Sequence, residues 1–457
     1  MQVVRILAAC ATIVVAPIAA LAAADQQSTG PATQAAATPT PSPSPNGEEN
    51  AKPDLLDGTL SAKGELEEDE ATAEQSPLPP FAAAKQRFEE RTGITFGGSI
   101  GVLWQGYSST IVGQGQANGG KFAFDLNAPI ANQGKPNNLT FDMAVEARGP
   151  LGTDFAPLQA GILAGSGTAT AATWGNFGIG ITQAYLRQSL AGNRFQWTIG
   201  KLFAPNYVDA YPFFDDNRQF LNLAFATSPT IAVPLRGFGF VAAGFPGENN
   251  VYLTGGMFTA NSSDTGSTIG DFFSRPEHFY FLEVGQTGFA RAGVPINARG
   301  PLDSNNFHIT LWYRDPLAPR GPGDLLRPSP DAYGAAFSAN YMAGQNVMWF
   351  LRGGVGSGSN FGTGALAGGI GWRPGNRPRD LFGVGVGWTN PSLPEVQLPV
   401  PVPIPDVRSQ TTSEIFYRFA LMPNIALTPD YQLLYHPSLA VSRPTLSVIS
   451  LRARLTF

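Results

Sequence analysis

His278, His308 and His436 are the only histidines of a 457-residue chain, and Cys10 is its one cysteine. The histidines fall on different predicted strands. None stands in a Ser/His or Asp/His motif, so nucleophilic and general acid–base catalysis have no recognisable centre and no enzyme is expected. No His/Cys/acid cluster has ligand spacing, so neither a metal nor a cofactor is expected, with calcium at loop carboxylates left open. What the sequence repeats instead is a charged residue at every second position of an otherwise apolar run. "LTFDMAVEAR" (139–148) sets Asp142, Glu146 and Arg148 opposite Leu139, Phe141, Met143 and Val145. "FHITLWYR" (307–314) sets Trp312 and Arg314 opposite Ile309, Leu311 and Tyr313, and the closing "SLRARLTF" (450–457) sets Arg452 and Arg454 opposite Leu451 and Leu455. Arg187, Arg194, Glu283, Arg352, Glu414, Arg418 and Asp430 occupy comparable positions. Guanidiniums donate hydrogen bonds and carboxylates accept them without breaking a bond. The chemistry on offer is that of a polar lining.

Strands must carry that lining, because a period of two puts alternate side chains on opposite faces. Sixteen such runs are predicted, at 94–105, 120–127, 138–148, 179–190, 194–201, 236–244, 251–259, 278–289, 306–314, 332–341, 347–356, 364–373, 381–388, 413–421, 425–436 and 446–457. Most are close to the ~9–11 residues a tilted strand needs to cross a bilayer, and an even number returns both termini to one side. The joins sort by length. Those at 191–193, 373–379 and 422–424 are short, and those at 149–178, 202–235, 260–277, 315–331 and 389–412 are long; 290–305 is a longish join on the short side. A soluble sandwich has no reason to sort its loops this way. The fold class expected is all-β, a 16-stranded antiparallel transmembrane barrel. Its charged faces point inward, because an arginine facing lipid near the midplane costs ~2–4 kcal/mol.

Composition agrees. Charged residues make up 14% of the chain, against a typical ~25%, and there are 53 glycines and 31 phenylalanines. The net charge of −5 suggests no nucleic-acid partner. Residues 1–24 read as a secretory signal peptide, which leaves the exported chain without cysteine and without a disulfide framework. Residues 25–80, with "GPATQAAATPTPSPSPNGEEN" and the acidic "GELEEDE", read as a disordered periplasmic tether; contact with the cell wall through it is left open. "PLPPFAAAKQRFEERTG" (77–93) predicts a short helix over 81–92, serving either as a spacer or as a cap under the barrel mouth. The barrel proper is expected over 93–457.

A barrel of this size leaves an aqueous channel, and what narrows it sets its function. The longest join, 202–235, carries Phe203, Tyr207, Tyr211, Phe213, Phe214, Phe220 and Phe225. So apolar a loop must pack somewhere, and the lumen is the available place. It is expected to fold inward as the constriction, with "DDNRQFLNLAF" forming a short helix capped by Asp215 or Asp216. An outer lid is the alternative.

"QAYLRQSLAGNRFQWTIGKLFAPNY", "DDNRQFLNLAFATSPTIAVPLRGFG", "YLTGGMFTANS" and "EIFYRFALMPNIALTPDYQLLYHP", with the ending "LRARLTF", resemble the carbohydrate-selective porin family (OprB type) over roughly residues 80–457. The resemblance implies a sixteen-stranded outer-membrane barrel of a Gram-negative bacterium that passes sugars passively, with its third outer loop folded inward. The family usually carries an arginine where this chain has Lys201. The pore and substrate candidates are then Asp209, Asp215, Asp216, Arg218, Glu146, Arg148, Arg187, Arg194, Glu283, Arg314 and Trp312. Asp215, Asp216 and Arg218 should matter more to sugar flux than Asp430. Arg452 and Arg454 are expected near the periplasmic end, outside the selective ring. Phe457 resembles the C-terminal aromatic signal for barrel assembly. The partners expected are sugars and outer-membrane lipid, with a homo-oligomer left open. The other transport reading is a general diffusion porin with a mild anion preference.

Overall fold

The computed structural model describes residues 52, 54–56, 79–133, 137–287, 305–318, 330–344, 346–358, 362–377, 379–391 and 407–457. The expected signal peptide, most of the expected tether and the join at 290–304 lie outside the described residues.

The strands are β1 (Thr95–Tyr107), β2 (Gln116–Ala131), β3 (Leu139–Pro150), β4 (Gly178–Leu190), β5 (Phe195–Phe203), β6 (Arg236–Gly244), β7 (Val251–Thr259) and β8 (His278–Thr287), then β9 (Asn306–Arg314), β10 (Ala332–Ala343), β11 (Val347–Ser357), β12 (Gly362–Trp372), β13 (Leu381–Pro391), β14 (Gln410–Met422), β15 (Ile425–Tyr435) and β16 (Thr445–Thr456). Each pairs antiparallel with its neighbours in sequence. β16 returns to β1, with Leu103 opposite Arg452 and Ser99 opposite Thr456, so the sheet closes without an edge. Closure pairs every wall strand on both sides, as a span through hydrocarbon requires. Among the described residues no helix is long and apolar enough to cross a membrane; the strands do the crossing.

The two faces separate as the period of two demands. On β9, Phe307, Ile309 and Leu311 are 50%, 47% and 54% exposed, while His308, Thr310 and Arg314 are buried. Ile449 and Leu451 of β16 also face out, and Arg452 and Arg454 face in. The outward set forms an apolar belt. It carries aromatics at both ends of the strands, such as Trp349 and Trp372 beside short turns and Tyr313 and Trp388 beside long loops. Such a band with aromatic girdles is the lipid-facing surface of an outer-membrane barrel.

A helix, α1 (Pro79–Thr92), precedes β1. Its Phe88 ring lies 5.6 Å from Phe96 and its Phe81 ring 6.2 Å from Phe457. Phe96 has the parity of the exposed Val102 and Trp104, so α1 rests on the outward side of the strand ends rather than under the mouth. Phe457 itself is tied to β1 by paired backbone bonds with Gly98 of 3.0 and 3.1 Å.

Candidate channel constriction

The join after β5 turns inward at once. A single 3-10 turn, Ala204–Asn206, leads into residues 207–232, nearly all of them buried. Their phenyl rings pack on the inner wall of β11–β14. Phe213, Phe220 and Phe225 meet one another, Phe350 and Phe416 at centroid distances of 4.9–5.9 Å. On β12 and β13 most inward positions of that wall are glycine or alanine, which the packing requires. A methyl group at Gly371 would lie 2.4 Å from the Phe213 ring, and one at Gly385 would lie 2.8 Å from Phe225. The missing side chains let the loop's aromatics lie on backbone.

Polar fasteners hold the loop at both ends. Asp209, at a left-handed φ of 53°, sits where short polar side chains are tolerated. Its carboxylate pairs with Arg352 and accepts from His308 Nε2 at 3.1 Å, while its backbone N–H donates to Glu283 at 3.2 Å. Tyr252 and Thr310 donate to the same Glu283 carboxylate at 2.9 and 2.7 Å. The Arg352 guanidinium also lies 4.0 Å from the Tyr211 ring centre. Across the lumen, Arg452 donates to the carbonyls of Asp216 and Gln219 at 2.5 and 2.9 Å, and Glu414 accepts from the Leu221 and Asn222 N–H groups at 2.5 and 3.0 Å. The loop therefore bridges from β8, β9 and β11 to β14 and β16.

The expected helix is displaced. Asp215 caps only a turn, accepting from Asn217 N–H at 2.7 Å and pairing with Arg218 at 2.7 Å. A separate one-turn helix, Leu223–Ala226, follows and is capped by Asn222, whose side chain accepts from Ala224 N–H at 3.0 Å. Asn at the N-cap outcompetes the aspartates because Phe220 is drawn into the aromatic cluster and breaks the run between them. Asp215, Asp216 and Arg218 are at most 2% exposed and are engaged in fastening the loop.

A second of the long joins, 149–178, also folds inward, which was expected only of 202–235. It carries the helix Pro157–Ala164, followed by buried Ser166, Thr168, Thr170, Ala171 and Trp174. Asp216 accepts from Thr173 N–H and Oγ1, each at 2.5 Å, and Trp174 Nε1 donates to the Asp216 carbonyl at 3.3 Å. Gln105, Gln410 and Gln432 donate to this loop from the wall at 3.1, 3.3 and 2.9 Å. The sequence carried no signal for it beyond a run of small residues and threonines.

Opposite the glycine wall stands a charged one. Arg148 Nε donates to Glu146 at 2.8 Å and its Nη1 to the Thr173 carbonyl at 2.6 Å. Arg236 bridges Glu146 at 3.1 Å and Asp264 at 2.8 Å, over the Phe203 ring at 4.6 Å. Lys121 donates to Thr173 and Asn217 at 2.9 and 2.6 Å, and Lys201 to the carbonyls of Ile181 and Asp264 at 2.8 and 2.9 Å. Arg236 and Lys121 lay outside the predicted set; the signal available for Lys121 was its parity on β2, whereas Arg236 has the parity of the exposed Phe240 and reaches Glu146 from the first position of β6.

The remaining candidates are dispersed. Arg314 lies at the outer end of β9, donating to the carbonyls of Pro330 and Gly358 at 3.4 Å each, and Trp312 stacks on Phe279 at 6.1 Å. Arg194 lies in the β4–β5 turn, where it donates to Glu248 of the next turn and holds that carboxyl below its ordinary range. Arg187 pairs with Asp54, from the stretch expected to be a disordered tether. Lys52 and Asp54–Leu56 are in fact seated inside the barrel, because Leu56 and Asp54 find an apolar and a cationic partner there. Arg452 is likewise corrected: it grips the constriction loop at mid-strand.

A closed sixteen-stranded barrel with an apolar belt and inward loops defines the class as an outer-membrane porin, a channel of the Gram-negative outer membrane. Residues 369–457, from within β12 to the end of the chain, match the family model described as "Carbohydrate-selective porin, OprB family", as the sequence resemblance implied. Among solved structures, the chain is similar to the high-pH structure of Pseudomonas putida OprB, at 13% identity and a TM-score of 0.63, over 84% of this chain and 98% of that one. A mutant of the Rh. blastica porin is matched at 9% identity and a TM-score of 0.46, over 80% of this chain and 100% of that one. No curated protein matches the chain.

Proposed function

We propose that this protein lets carbohydrates diffuse passively across the outer membrane, through a passage narrowed by its two inward loops. The observation that carries the reading is the lopsided lumen: Lys121, Arg148, Arg236 and Glu146 face two loops that close the passage to larger solutes. Guanidinium and ammonium donors with a carboxylate acceptor satisfy the hydroxyls of a neutral solute, and weak, multiple contacts allow release. The family match at residues 369–457 and the printed name of the Pseudomonas putida relative point to the same solute class.

A general diffusion porin with mild anion preference is the second reading. Its support is the count on the charged wall, where Lys121, Arg148 and Arg236 outnumber Glu146 and Asp264. Planar-bilayer current with added glucose, maltose and succinate separates the two. Block or competition by the sugars supports the first; free passage of succinate with no sugar effect supports the second. Assembly into a homo-oligomer and contact with the cell wall through residues 25–80 belong to the same proposal, to be read from cross-linking in outer membranes and from peptidoglycan co-sedimentation.

A further inference from the structure

The short-turn mouth of the barrel contains a peptide. The Lys52 N–H donates to the Gly192 carbonyl at 3.0 Å and the Lys52 carbonyl accepts from Asn193 Nδ2 at 2.9 Å. The Lys52 ammonium donates to the Glu248 carbonyl at 2.7 Å and to Asn250 at 3.3 Å. Two residues on, the Asp54 carboxylate pairs with Arg187 on the inner face of β4. Gln196 of β5 accepts from the N–H groups of Leu55 and Leu56 at 3.0 and 3.3 Å, and Asp54 Oδ1 caps the turn through Leu56 N–H at 3.1 Å. Leu56 is 1% exposed, among Tyr185, Leu202, Tyr207 and Val208, two of which belong to the constriction loop.

The groups of a site are thus matched along one short stretch: a cation on one turn and its backbone on the adjacent one, an acid on a guanidinium, backbone N–H groups on one amide oxygen, and a leucine under the loop. The recognised chemistry is Lys-X-Asp-Leu-Leu. We propose that the periplasmic vestibule is a peptide-binding site whose occupant is this chain's own residues 52–56, and that this tethered plug throttles the channel until it is displaced. The inference rests on the channel reading but not on carbohydrate as the solute.

Ion current in potassium chloride tests it with the full chain. Leu56→Asp and Asp54→Ala should raise time-averaged current, because losing one buried leucine lowers plug occupancy about tenfold or more. Asp54→Arg and Arg187→Asp should each open the channel, and the two together should restore the block. Leu55→Cys with Gln196→Cys, in a Cys10→Ala chain, should cross-link in membranes, give the lowest current, and recover on reduction. Wild-type current in all single variants, or a cross-linked chain that conducts as before, overturns the plug. A plug that responds this way in a channel indifferent to sugars would sink the carbohydrate reading and leave this one standing.

Discussion

The two walls of the lumen are built from opposite materials. Along β12 and β13 the inward positions include Ala365, Ala367, Gly369, Gly371, Gly383, Gly385 and Gly387, and the loop's phenyl rings press against backbone. Along β2–β4 the inward positions include Lys121, Glu146, Arg148, Gln183 and Arg187. The dry wall gives the loop area to bury without occupying the lumen with its own side chains. The charged wall holds donors and acceptors on its inner face, where they anchor both loops. One loop serves both, because its aromatics face the first wall and its Asp216–Gln219 turn reaches toward the second.

The largest effect should come from breaking the dry wall. Phe220→Ala removes a ring that touches Phe213, Phe225, Phe350 and Phe416, and such a core truncation costs about 3–5 kcal/mol. The barrel should remain closed, since its strands pair without this ring. Residues 204–235 should become sensitive to protease, and the open-channel current should rise. Protection unchanged from wild type would show that the glycine wall does not hold the loop.

Next in size is the fastener where the two walls meet. Arg352→Ala leaves the Asp209 carboxylate buried with only His308 to compensate it, a loss of about 3 kcal/mol. The expected outcome is a noisier channel with a wider distribution of conductance levels in bilayer recordings. Arg352→Lys should recover part of the quiet state. If alanine is as quiet as wild type, the loop is held by its aromatics alone.

How much of this was legible follows the same division. Facing was legible along most of each strand, because lipid on one side and water on the other impose a period of two that breaks only at local register shifts such as the one at Thr182. The inward turn of the join at 202–235 was legible because its seven aromatics have to be buried. Depth was not: Arg452 reads as a residue near the chain end, yet it reaches the carbonyls of Asp216 and Gln219 in the constriction loop. The inward loop after β3 was hidden because threonine, alanine and glycine carry no excess of apolar surface that demands a partner. Lys52–Leu56 was hidden because a local composition of proline, alanine and acid reads as disorder whatever two leucines can find in the lumen. Low sequence complexity describes what a segment can do by itself, and here the barrel supplies the rest.

Smaller effects should come from the charged wall. Lys121→Gln keeps a donor toward Thr173 and Asn217 while removing the charge, so the loops stay in place. Sugar affinity should fall by roughly 1 kcal/mol, the worth of one hydrogen bond, and anion preference should weaken. Asp216→Ala should disturb flux more than Asp430→Ala, because it also releases Thr173 of the second loop. Equal effects of these two would mean that the second loop does not depend on the first.

The smallest effect lies outside both walls and separates barrel stability from lumen chemistry. Asp380, in the turn before β13, loses solvation by burial, but the Ala420 N–H at 3.0 Å, Arg377 and Tyr417 outweigh that and hold its carboxyl below the ordinary range. A folded-state value depressed below the unfolded one, near 3.9, stabilises the barrel above that pH and ceases to do so as pH falls through the folded value. The temperature at which the folded barrel is lost on heating in detergent should therefore drop between about pH 4 and the folded-state value, by the equivalent of less than about 1 kcal/mol for a pair with a half-exposed arginine. Asp380→Asn should remove that part of the drop and leave sugar block at neutral pH unchanged. A change in sugar block from this variant would mean that the short-turn rim feeds into the lumen, and that the walls are not the separate units their chemistry makes them.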